Sequence, residues 1–97
     1  MRHFFRTQLT PGEVLRVADE FFPTLPLERT AHTARSRTFS GLLGTLQLSV
    51  KMEGGHYTFV QIQTDQIGES RLDRNAKRFF VKLHRVADPS HRLEAAY

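Results

Sequence analysis

Residues 71–87, RLDRNAKRFFVKLHRVA, constrain the fold more than any other stretch of the chain. Wound at 3.6 residues per turn, they bring Leu72, Ala76, Phe79, Phe80, Leu83, Val86 and Ala87 to one side of a helix. A helix with so continuous an apolar side must lay it on another apolar surface. Residues 45–52, TLQLSVKM, supply that surface with a different period. Leu46, Leu48, Val50 and Met52 alternate with Thr45, Gln47, Ser49 and Lys51, as in a strand with one buried and one wetted face. The two periods together predict an α+β fold, a small two-layer domain with an antiparallel sheet packed against helices.

The run Glu53, Gly54, Gly55 turns the chain back into a return strand over 56–64, and the register of this hairpin decides which side chains are buried. A two-residue turn at Gly54 and Gly55 sets Phe59 beside Val50 and Tyr57 beside Met52, and leaves Val60 and Ile62 on the polar face. A three-residue loop of Glu53, Gly54 and Gly55 slips the pairing by one and exchanges the faces. It sets Val60 and Ile62 with Leu48 and Leu46, and it is the preferred register because such loops commonly end in a left-handed glycine. Tyr57 and Phe59 then share the opposite face with Gln47, Lys51, Gln61 and Gln63. That face is open to solvent, covered by a partner subunit, or the lining of a groove.

Residues 1–8 read as a short strand in which Phe4 and Phe5 face opposite ways. A helix follows over 10–22. Thr10 and Glu13 have capping-box spacing, Pro11 suits the first helical position, and Val14, Leu15, Val17, Ala18, Phe21 and Phe22 form the apolar face. Pro23 ends it. Leu25 and Leu27 flank Pro26 in an extended connector, and residues 28–40 read as one polar strand at a sheet edge. Gly41 and Gly44 mark a turn around Leu42 and Leu43. After a loop over 65–69, Ser70 is the N-cap of the last helix and Asp73 completes its capping box. The expected order is β-α-β-β-β-α, with a single domain over 1–89 and a frayed tail over 90–97.

A chain of 97 residues accommodates one ordinary domain, and eight phenylalanines among 39% hydrophobic residues provide its core. The absence of cysteine rules out disulfides, thiolate ligands and cysteine nucleophiles, and fits a reducing compartment. No apolar run reaches 18 residues, so no transmembrane segment is expected. The start, MRHFFRTQLTPGE, lacks the apolar region of a secretory signal, and a cytoplasmic location is expected.

The histidines His3, His32, His56, His84 and His91 fall into no metal-binding spacing. His84 and Asp88 share a helical side at a spacing suited to capping. Glu53 and His56 flank the hairpin turn, where acid–base work would need them within hydrogen-bond reach. Ser40, Ser49 and Ser70 lack a nucleophile setting, and GLLG at 41–44 matches neither a P-loop nor a dinucleotide fingerprint. No catalytic residue, metal ligand or cofactor is expected, and a binding role is favoured over an enzymatic one.

The binding signal is cationic. Arg71, Arg74, Arg78, Lys82 and Arg85 recur at spacings of three and four along the last helix, and 14 Lys and Arg against 10 Asp and Glu give the chain a formal charge of +4. Such a stripe suits successive phosphates of RNA or DNA, and also an acidic protein partner. Tyr57 and Phe59, if exposed, can stack on unpaired bases or fill the centre of a homodimer interface. An anionic membrane surface is disfavoured, because the helix's apolar side is needed for the core.

The order of a helix, three strands and a basic second helix resembles that of double-stranded-RNA-binding domains. Those domains present a glycine-containing loop and a Ser-Lys-Lys-x-Ala-Lys start to the second helix. Residues 68–77 here read GESRLDRNAK. The serine, one base and an Ala-Lys pair are present. The second adjacent lysine is missing, Ala76-Lys77 is displaced, and Asp73 intrudes, so the resemblance is one of order and does not assign the chain to that family. An N-terminal strand and helix before a sheet closed by a long C-terminal helix also looks like a reduced helix-grip domain. That likeness implies an apolar ligand between Leu46, Leu48, Val50, Val60 and Ile62 on one side and Phe79 and Phe80 on the other.

Overall fold

The structure, a computed structural model, describes residues 1–88. It runs β1 (Arg2–Thr7), α1 (Pro11–Phe21), a 3-10 turn (Phe22–Thr24), β2 (Leu27–Thr33), β3 (Ser36–Gly41), β4 (Gly44–Glu53), β5 (Tyr57–Thr64) and α2 (Arg71–Ala87). The five strands form one antiparallel sheet in the order β1-β5-β4-β3-β2, so the first strand returns to lie beside the last. The expected α+β architecture is present with one strand more than the sequence suggested. Residues 28–40 are not a single edge strand but most of a hairpin, β2 and β3, with a bulge between Arg29 and Ala31. The tail expected over 90–97 lies outside the described residues.

Local chemistry fixes both helices. In α1 the Glu13 amide donates to the Thr10 hydroxyl at 3.1 Å and the Thr10 amide donates to the Glu13 carboxylate at 3.0 Å, a complete capping box. The Thr10 amide holds the Glu13 carboxyl below the usual range. The helix stops at Phe21, and Pro23 sits inside the 3-10 turn that follows. That turn hands the chain to the 25–26 connector, which passes so close to β3 that a side chain at Gly41 would meet the Pro26 carbonyl at 2.1 Å.

α1 lies over β3 and β4, and α2 over β1 and β5. Between the helices and the sheet, Phe22, Phe39 and Phe79 are wholly buried, with Phe22 centred 5.0 Å from Phe39 and 4.9 Å from Phe79. Leu46, Leu48, Val60 and Ile62 of the sheet meet Val14, Ala18, Leu72, Ala76 and Leu83 of the helices, all fully buried. Each large apolar side chain taken out of water there contributes about 1.5–3 kcal/mol relative to exposure. Phe5 points inward and stacks on Phe80 at 5.0 Å, which leaves its neighbour Phe4 on the outer face.

The β4–β5 register corrects the expected one. The loop has three residues, but they are Gly54, Gly55 and His56, so Val50 pairs with Val60 and Leu48 with Ile62. Each partner is displaced by two from the expected pairing. Because the side-chain period is two, the faces stay as expected even though the partners do not. Gly54 and Gly55 take φ of 64° and 73°, consecutive left-handed positions open to glycine at little cost.

Candidate functional site

The fold separates the residues singled out in the sequence onto opposite sides of the molecule. Arg71, Arg74, Arg78, Lys82 and Arg85 lie on the helical side and are all exposed. Their stripe is rotated by roughly a third of a turn from the buried stripe, on the flank of α2 that borders the end of α1. There it forms one wall of two adjoining grooves. One, of about 410 Å³, is lined by Phe21, Arg78, Val81, Lys82 and Arg85. The other, of about 310 Å³, is lined by Leu25, Arg71, Arg74, Asn75 and Arg78. Among the described residues none of the five cations takes part in an ion pair. Arg78 makes a long hydrogen bond to the Asn75 side-chain carbonyl, 3.3 Å. Lys77, on another side of the same helix, is bound to Glu69 at 2.8 Å and does not belong to the stripe.

Tyr57 and Phe59 lie on the outer face of the sheet, which no other described element covers, and they are not brought near the α2 stripe. Phe4, which the sequence did not single out as a site residue, joins them. It is 53% exposed and stacks on Phe59 at 5.6 Å, while Tyr57 is 46% exposed. Directly across the strands, Arg6 and Lys51 flank Phe59, with their charged groups 5.0 and 5.5 Å from its ring centre. Arg6 also holds Glu53 at 2.6 Å. Glu53 is therefore committed to an arginine, and its contact with His56 is only the turn's backbone hydrogen bond, 3.4 Å.

A third constellation was not legible in the sequence. The Ser70 hydroxyl accepts the Asp73 amide at 3.0 Å as the expected N-cap, but the Asp73 side chain does not close the box. It turns inward, 1% exposed, and accepts hydrogens from the Ser70 hydroxyl (2.5 Å), the Thr64 hydroxyl (2.8 Å) and His3 Nε2 (2.8 Å). Burial pushes this carboxyl up, and the bonds from Ser70, His3 and Thr64 outweigh burial and hold it below the usual range. The serine binds the carboxylate, not the imidazole, so the trio lacks the nucleophile–base contact of covalent catalysis. Its effect is to tie β1, β5 and the start of α2 together. Among the described residues no three His, Asp or Glu side chains gather as a metal would require, and no helix is long and apolar enough to cross a membrane.

The layer in which a helix-grip domain would hold a ligand is occupied by the rings of Phe22, Phe39 and Phe79. No protein-family model matches the chain, and no curated protein matches it.

Proposed function

We propose that the chain is a small non-enzymatic module that holds nucleic acid by its phosphates along α2. One observation carries this reading: five exposed cations at steps of three and four residues, with no acid paired to any of them among the described residues. At 1.5 Å per residue the steps are about 4.5–6 Å and the stripe about 21 Å long. Charges left unpaired along such a length favour a partner with its own linear run of opposite charge. The grooves beside the stripe give that partner a seat against Phe21 and Leu25.

Fluorescence anisotropy with a 20-nucleotide RNA and a 20-base-pair DNA, across a salt series, tests the reading. If all five cations engage phosphates, log K falls against log salt with a slope of about −3.5 for the single strand and about −4.5 for the duplex. Replacing Arg74 and Arg78 together by Gln reduces the slope by about 1.4 and 1.8 respectively. Absence of binding at low salt refutes the proposal. Equal binding to poly-glutamate transfers the stripe to an acidic protein partner.

A further inference from the structure

We propose that the outer face of the sheet is a second site, distinct from the α2 stripe, which takes the unpaired bases of a single-stranded nucleic acid. It does not depend on the α2 reading, since it lies on the other side of the molecule and uses none of the same residues.

The first argument is the state of the three rings. Phe59 is already engaged, stacked by Phe4 and approached by Arg6 and Lys51. It serves as a support. Phe4 and Tyr57 keep about half of their surface open to water. Apolar rings left so exposed on a rigid sheet cost solvation and are offset when another flat apolar surface covers them. Phe4 is level with Gln61 on β5, so its backbone position is four residues, about 13 Å along the strand, from Tyr57, and its ring leans back over Phe59 between them. A base has two faces and stacks on such rings regardless of its identity.

The second argument is charge. Around the rings the outer face carries Arg2, Arg6 and Lys51 against Glu53, and Glu53 is bound to Arg6. The excess is positive and favours an anionic occupant. A second copy of the chain would bring the same excess against itself.

The third argument is the remainder of the face. Cross-strand pairs Ser49–Gln61 and Gln47–Gln63 continue from the rings along the β4–β5 seam, and none of these four side chains makes a hydrogen bond among the described residues. They line two adjoining depressions of about 240 and 150 Å³, the second ending at Asp65. Their free amides and hydroxyl are of the kind that meet the hydrogen-bonding edges of splayed bases. Asp65 repels phosphate and so marks the end of the path. A duplex cannot use the site, because its bases are already stacked.

The sequence contains no tryptophan, so Tyr57→Trp creates a single fluorescent reporter on this face. Titration with a mixed-sequence hexanucleotide is expected to quench its emission saturably, and a 12-base-pair duplex is expected to leave it unchanged. The double variant Phe4→Thr/Tyr57→Thr keeps residues suited to strands; placed in an Arg74→Gln/Arg78→Gln background, which weakens the α2 stripe as a competing hexamer site, it is expected to lower hexamer affinity about tenfold or more, given the usual contribution of each stacked base. Adding Arg74→Gln and Arg78→Gln to the Tyr57→Trp reporter chain is expected to leave the hexamer's quenching in place while weakening duplex binding, so the two sites fail or stand separately. The proposal is overturned by hexamer binding that leaves the reporter unchanged, by undiminished hexamer affinity when Phe4→Thr/Tyr57→Thr is added to the Arg74→Gln/Arg78→Gln background, or by no hexamer binding at low salt. It is also overturned if light scattering finds a dimer that Phe4→Thr/Tyr57→Thr dissociates, which would make the face an interface between copies.

Discussion

Asp73 is the residue on which three elements converge, and its surroundings set a sign for its response to pH. Its folded carboxyl lies below the unfolded value of about 3.9 because Ser70, His3 and Thr64 favour the charged form. A depressed carboxyl adds stability in full above the unfolded value, and that addition is lost as pH falls through the folded one. Asp73→Asn is therefore expected to cost about 3 kcal/mol near neutrality, since it strips charge-assisted bonds from buried donors. The gap from wild type should close below about pH 4. Urea unfolding at pH 7, 5 and 3 measures it, and a gap that does not change with pH would mean that Asp73 contributes shape alone. Sequence reasoning found the Ser70 cap because its partner is three residues away. It missed the hub because His3 is 70 residues distant and Thr64 belongs to another element.

At the scale of elements, α2 carries a conflict between its fold and its exposed side. Arg71 and Arg74 stand in its first turns, where the helix dipole favours acids, and Arg78 has Arg74 four residues before it and Lys82 four residues after. Each like-charge pair at that spacing destabilises a helix by about 0.2–0.5 kcal/mol. Arg78→Gln removes two such pairs and gives up only the 3.3 Å bond to Asn75. It is expected to raise stability by about 0.4–1 kcal/mol at low salt, and the gain is expected to vanish near 1 M salt, where the Debye length is about 3 Å. The urea midpoint reads this directly; a loss of stability would assign Arg78 to holding the fold. The apolar side of α2 and the alternation of β4 were legible because each repeats at the period of its own element. The β2–β3 hairpin was not, because Leu27 is the one buried residue of β2 and an edge strand with both faces wet has no alternation to read. The β4–β5 pairing was legible only as to face, since a slip of two residues leaves every face unchanged.

At the scale of the molecule, placing both helices on one side of a single sheet leaves two unlike surfaces back to back. The described chain is thin, with principal extents of 34 × 34 × 22 Å, and the core fills the layer between the helices and the sheet's inner face. Residues of the α2 stripe and the ring cluster share no partner, so substitutions on one side are expected to add to those on the other. With both proposed sites in use, ligand length decides how they are occupied. A hexanucleotide on the ring cluster is too short to pass around the sheet edge to α2, so two hexamers bind one protein at low salt. A 30-nucleotide strand can reach both, and the second contact becomes intramolecular, with a gain set by effective concentration. Calorimetric titration is therefore expected to give a stoichiometry of two for the hexamer and one for the 30-mer. Phe4→Thr/Tyr57→Thr should reduce the first value to one, and should weaken the 30-mer by more than it weakens a duplex. A hexamer stoichiometry of one in the unaltered protein would leave a single surface in use, and the two double variants would then identify which.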